Sequence, residues 1–240
     1  CSGYGGIERG LDLAGFKHRT VAYVEIEAYA IANLANKMEA GKLLPAPIWS
    51  NLKTLPVQPF RDKVDLITGG YPCQPFSAAG QRKGTDDPRH LWPYIRGHIE
   101  AIRPIQCFFE NVEGHISLGL REVISDLESL GYVCAWGIFS AREVGAPHQR
   151  KRVYILADSK SIGVQRLRQS REQESYTHDE QTLSMRPSKE GRYATWDAEP
   201  NVGRVVNGCA DRVDRIRMLG NGVVPQTAAK AWLTLNERFK

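Results

Sequence analysis

Val64-Asp65-Leu66-Ile67-Thr68-Gly69-Gly70-Tyr71-Pro72-Cys73-Gln74-Pro75-Phe76-Ser77 is an apolar run closed by two glycines, with a proline on each side of Cys-Gln. Val64 to Ile67 reads as a buried strand, and the residues after it as a rigid turn at its carboxyl end. In open α/β sheets that edge is where ligands bind. A thiol held there, Cys73, is placed to act as a nucleophile, provided something lowers its ordinary pKa of about 8.5. Spacing alone leaves open a Pro-rich turn with an incidental cysteine.

The same alternation extends in both directions. Val21 to Val24, Ile105 to Phe109, Val133 to Phe139 and Val153 to Leu156 read as further buried strands. Ile7 to Ala14, Glu27 to Met38 and Ser117 to Leu130 read as helices, with Gly15 and Gly131 just past two helix ends, where a left-handed residue is wanted. Strands alternating with helices make the expected fold class α/β, a doubly wound and mostly parallel sheet. The pattern breaks at 158–190, which holds too few apolar residues to bury a core and is expected to be a flexible or poorly packed insert. Order is expected to resume near Tyr193, and Gln226 to Phe239 reads as a helix with Ala229, Trp232 and Leu235 near one face. The expected organisation is a 1–157 domain, a 158–210 insert and a 211–240 return.

Composition narrows the function classes. The 240 residues suffice for one sizeable core and a small appendage. No apolar run approaches the ~20 residues that a membrane helix needs. The chain opens on Cys1-Ser2-Gly3 without a basic or apolar leader, so no secretion signal is expected, and it lacks an initiating Met. Its five cysteines (Cys1, Cys73, Cys107, Cys134, Cys209) are scattered and odd in number. That argues against a disulfide framework and a zinc site, and for a reducing, cytoplasmic compartment. The net charge of +5 suits a nucleic-acid partner, with the excess at both ends and a neutral 158–210 segment.

Three further clusters carry chemistry. Glu110 and Asn111, after Phe108-Phe109, stand at the end of the next strand, so both project over the sheet edge that carries Cys73. A carboxyl in that setting can keep a raised pKa and donate a proton; a water-facing helix cap is the plainer reading. Gln149-Arg150-Lys151-Arg152 opens the Val153 strand, and strand alternation turns Arg150 and Arg152 to one side, where they could orient a carboxylate or hold a phosphate. A solvated basic turn is the alternative. Ser2-Gly3-Tyr4-Gly5-Gly6 leads into the first helix and lets backbone amides approach a ligand closely, although it lacks the full G-x-G-x-x-G spacing. Glu25, at the end of the second expected strand, supplies the acidic residue that such sites place on ribose hydroxyls.

In combination these motifs resemble the DNA cytosine-5 methyltransferase family, and among its members the short phage and prophage ones. The match runs in order through Ser2 to Gly6, Glu25, Pro72-Cys73-Gln74, Arg89 to Trp92, Glu110-Asn111-Val112, Arg150-Lys151-Arg152 and Gly220 to Pro225. The resemblance implies a class I, Rossmann-like fold with S-adenosyl-L-methionine as methyl donor and a reduced target-recognition segment at 158–210. It implies Cys73 as the nucleophile that adds to cytosine carbon 6, Glu110 as the proton donor at N3, Asn111 holding the turn, and Arg150 and Arg152 positioning the base. For the donor it points to Ser2, Gly3, Tyr4, Gly6, Glu25, Ile26, Pro72, Leu91, Asn221 and Val223. Asn51 is added where the family usually has an acidic residue at the adenine. For double-stranded DNA it points to Gln74, Ser77, Gln81, Arg82 and Lys83. The cytosine must leave the stack, at a cost of a few kcal/mol. No metal, no membrane and a monomer are expected.

Two departures from the family pattern carry expectations. Cys1 stands where a Phe usually does, so the first family strand is expected to be missing; adding about ten upstream residues should strengthen donor binding, with equal calorimetric affinities refuting this. A short, polar 158–210 segment offers few rigid side chains for groove edges, so a short or relaxed recognition sequence is expected, and bisulfite sequencing that revealed a strict six-base target would overturn it. Competing readings are tRNA cytosine methylation, a thiol hydrolase pairing Cys73 with His148, and a non-catalytic DNA-binding remnant.

Overall fold

The structure, a computed structural model, describes residues 1–72, 91–159 and 222–240. It opens with α1 (Gly6–Leu13), β1 (Tyr23–Val24), α2 (Ala28–Glu39) and β2 (Ile48–Trp49). Next come β3 (Leu66–Gly70), α3 (Trp92–Ile102), β4 (Gln106–Val112), the short α4 (His115–Leu118) and α5 (Leu120–Ser129). β5 (Val133–Ser140), β6 (Lys151–Asp158) and α6 (Pro225–Asn236) complete the order. The expected insert, apart from Asp158 and Ser159, lies outside the described residues. Among the described residues no helix is long and apolar enough to cross a membrane.

β3, β4, β6 and β5 lie side by side in that order. β3 and β4 are parallel, whereas β6 runs antiparallel to both neighbours. The α/β class and the mostly parallel sheet are as expected, with β6 the reversed strand. Its reversal follows from chain length: β5 ends at Ser140 and β6 begins at Lys151, too short a link for a parallel crossover of a dozen or more residues.

Alternation along the strands builds two cores. Cys107, Phe109, Val153, Ile155 and Ala157 face one side, where Trp92, Ile95 and Ile99 of α3 and Val123 and Leu127 of α5 cover them. Phe108, Tyr154 and Leu156 face the other side and meet Ile7 and Leu11 of α1 with Ala228, Trp232 and Leu235 of α6. α6 is distant in sequence from α1 but lies against it because Gly10 lacks a side chain. A Cβ there would stand 2.6 Å from the Ala228 Cβ and 2.8 Å from the Pro225 carbonyl oxygen.

β1 and β2 form a separate parallel pair. Among the described residues, Cys1 and Ser2 link β1 to β3: Ser2 N–H donates to the Val24 carbonyl (3.1 Å) and Gly70 N–H to the Cys1 carbonyl (3.3 Å). Below them runs a slot of about 510 Å³ lined by Val21, Val24, Leu66, Leu11, Ile95 and Phe109.

The elements differ from the sequence reading in several places, β2 among them, which no expected strand covers. Ser117 to Leu130 is not one helix, because the chain is extended at Gly119 and restarts as α5. β3 continues through Gly69 and Gly70, which pair with Phe109 and Glu110, so the turn starts later than the glycines suggest. α3 was not anticipated, although Trp92, Ile95, Ile99 and Ile102 recur at helical spacing along its buried face. Gly15 and Gly131 do adopt the left-handed conformation expected of them, with φ of 74° and 91°.

Candidate active site

The parallel register of β3 and β4 sets Gly70 beside Glu110 at the carboxyl ends of both strands. Glu110 is buried there, 6% exposed, with Arg152 Nε 3.0 Å from its Oε1. Burial pushes the Glu110 carboxyl up to about 7, against the pull of Arg152 and Arg150 in the opposite direction. A carboxyl poised there both gives and takes protons near neutrality.

Asn111, the next residue, is also buried and works on the backbone. Its Nδ2 donates to the Tyr71 carbonyl (3.1 Å), and its Oδ1 accepts from Val112 N–H (2.9 Å). The amide thereby ties the end of β4 to the residue that follows β3, two positions before Cys73.

Arg150 does not belong to β6 but precedes it, in the left-handed region at φ 34°. Alternation along a strand is therefore not what directs it. Its Nη2 donates to the Gly222 carbonyl, while its charge still acts on Glu110. A non-glycine residue held in this conformation costs on the order of 1 kcal/mol or more.

The 222–223 stretch is locked from the other side by the first turn. The Tyr4 hydroxyl donates to the Val223 carbonyl, and Lys37 donates to the Tyr4 carbonyl (2.6 Å) while its ammonium lies 4.8 Å from the Tyr4 ring centre. A Cβ on Gly222 would stand 1.9 Å from the Tyr4 ring, so only glycine fits. Gly6 lies directly under the Val223 backbone.

Glu25 organises the glycine-rich turn. It is buried and accepts from the N–H groups of Gly3 (2.7 Å), Ile26 (2.9 Å) and Glu27 (3.0 Å). Burial acts to raise its pKa, and the N–H donors of Glu27, Gly3 and Ile26 act against it. Ile26 beside it is 71% exposed. The backbone at Gly3 is open, with φ 54° and nothing within 4 Å of where a Cβ would stand.

The remaining expected site residues divide. Ser2 exchanges hydrogen bonds with Val24 through its hydroxyl. Asn51 accepts from Lys53 N–H and caps the short turn Leu52–Thr54. Pro72 is exposed, Leu91 is half-buried ahead of α3, and Val223 is buried. Cys73, Gln74, Ser77, Gln81, Arg82, Lys83 and Asn221 lie outside the described residues. Sequence reasoning missed Lys37, Gly222 and the buried pair Tyr71 and His115. Gly222 and Tyr71 lay inside the quoted stretches, whereas Lys37 and His115 carry no local signal.

A C-5 cytosine-specific DNA methylase family model matches residues 1–201. The chain is 33% identical over 162 residues to the Type II methyltransferase M.NaeI of Lentzea aerocolonigenes, covering 65% of this chain and 38% of that one. It is 33% identical over 165 residues to M.NgoMIV of Neisseria gonorrhoeae, covering 65% and 49%. Among solved structures, the Dnmt2 methyltransferase of S. pombe superposes with a TM-score of 0.54 at 29% identity, over 65% of this chain and 48% of that one. The chain thus spans less than half the length of each, and its fold is the class I methyltransferase fold. With the glycine-rich turn and the Glu110–Arg152 pair both inside the matched residues, the chain belongs to the C-5 cytosine-specific DNA methylase family.

Proposed function

We propose that this chain methylates carbon 5 of a flipped cytosine in double-stranded DNA, through a covalent bond between Cys73 and carbon 6. The observation that carries this reading is the buried Glu110 carboxyl, near neutrality and 3.0 Å from Arg152, at the end of the strand beside the one leading to Cys73. The Cys73 thiolate adds to carbon 6 while Glu110 gives its proton to N3, so that the ring's electron pair is delivered to carbon 5. Asn111 fixes the backbone between the two groups, and Arg152 orients the Glu110 carboxyl. Once carbon 5 carries the methyl group, loss of its proton to a base expels the thiolate, N3 returns its proton to Glu110, and the aromatic ring is restored.

The first turn fits a group bearing adenosine. Gly3 leaves its backbone open to close approach, and Ile26 presents an apolar face beside the Glu25 carboxylate. Ser2, Gly3, Tyr4, Gly6, Glu25, Ile26, Pro72, Leu91, Asn221 and Val223 would hold S-adenosyl-L-methionine, with Asn51 at the periphery. When bound, the donor supplies an electrophilic sulfonium methyl, which the activated carbon 5 takes up. Gln74, Ser77, Gln81, Arg82 and Lys83 are assigned to DNA, with 158–210 as the segment that selects the target.

Duplex DNA carrying 5-fluorocytosine tests this reading, because the fluorine cannot leave as a proton does. With the donor present, wild type is expected to form a denaturation-resistant DNA–protein complex and Cys73→Ala none. A wild type that transfers no methyl and traps no DNA refutes the reading. Transfer to tRNA alone would redirect it.

A further inference from the structure

Tyr71 and His115 lie outside every role assigned above, yet both are buried at the junction of the two strand ends. The Tyr71 hydroxyl and His115 Nε2 share a 3.0 Å hydrogen bond. The two rings meet edge to face with centres 5.5 Å apart. The Tyr71 ring also touches Trp92 (5.5 Å) and Phe109 (5.9 Å), while its carbonyl accepts from Asn111. Tyr71 is the first residue after β3, and His115 opens α4 three residues after β4. Trp92, the first residue of α3, is anchored in turn by Asp126, to which its Nε1 donates (2.7 Å).

We infer that Tyr71 and His115 are positioning residues: their hydrogen bond couples the end of β3 to the arm that carries Glu110 and Asn111, and so holds the proton donor in register with the strand that leads to the catalytic turn. The inference rests on the function proposed above. Three contacts converge on one residue, each from a different element. Asn111 fixes the Tyr71 backbone, His115 fixes the far end of its side chain, and Trp92 packs the ring from the start of α3. Tyr71 is thus held at both backbone and hydroxyl, which ties the end of β3 to β4 and to α4. Burial holds His115 down at about 4, so it is neutral at working pH and keeps this bond without carrying a charge into the buried junction.

Tyr71→Phe keeps the packed ring and removes only the hydroxyl, so the fold is retained. The experiment measures the rate of covalent trapping on 5-fluorocytosine duplex, kcat and KM for donor and DNA, and Tm. Loss of one hydrogen bond predicts a roughly three- to tenfold slower trapping rate and kcat, with KM for the donor within about twofold of wild type. His115→Leu should reproduce the loss, and His115→Gln, which still offers a partner to the hydroxyl, should recover most of it. The double variant should be no slower than either single one. Unchanged trapping in Tyr71→Phe overturns the inference and leaves the proposed function standing. Losses that merely follow the drop in Tm across all variants also overturn it. A wild type that traps nothing removes both.

Discussion

Replacing Glu110 with Gln removes a single titrating group while keeping nearly the same shape, and the structure gives the size of the effect. Burial lifts this carboxyl from 4.5 to about 7 in the folded chain. Below pH 4.5 it is neutral in both states and costs nothing. Between 4.5 and 7 the unfolded chain releases its proton first, so stability falls as pH rises and levels off above 7. At 1.36 kcal/mol per pH unit the full cost is about 3 kcal/mol, of which about 2–3 kcal/mol falls between pH 5 and pH 8. The charged and titratable groups facing it are Arg152 at the start of β6, Arg150 just before it, Tyr154 within β6 and Tyr4 of the first turn. All four remain in the variant, so they cancel in the comparison, and the lost Arg152 partner adds only a pH-independent penalty. Urea unfolding of both proteins at pH 5 and pH 8, in the same salt, measures the difference. Relative to wild type, Glu110→Gln is expected to gain about 2–3 kcal/mol on going from pH 5 to pH 8. A difference that stays flat with pH would show that Glu110 is not held protonated by burial, and the reasoning about its proton would fall with it.

Two further outcomes follow from packing. Gly10→Val forces a side chain into the 2.6 Å gap to Ala228 and should cost roughly 1–3 kcal/mol, read as a lower urea midpoint with an unchanged slope; wild-type stability would mean that α1 and α6 do not meet as described. An extended apolar segment of about five residues joined ahead of Cys1 should pair with the facing edges of β1 and β3 and fill the slot between them. A net gain of ~2 kcal/mol would raise Tm by roughly 4–8 °C in a chain of this size, and no rise would rule out strand pairing there.

What the sequence alone determined was local in kind. Buried runs, helix ends at Gly15 and Gly131 and the order of strands and helices sufficed for the α/β class, because alternation and turn chemistry are written in adjacent residues. The placement of Glu110 and Asn111 at the end of a strand was legible for the same reason. Tertiary structure alone decided what those residues meet. The raised pKa of Glu110 depends on burial by other elements, and Asn111 holds a carbonyl forty positions earlier. Arg150 turns to Gly222 because it sits in a left-handed residue before β6, not in the strand that alternation implied. Gly222 must be glycine because Tyr4, more than two hundred residues away, fills the space beside it. Partners so far apart leave no trace in local spacing, since the chain's path through space, not its order, brings them into contact.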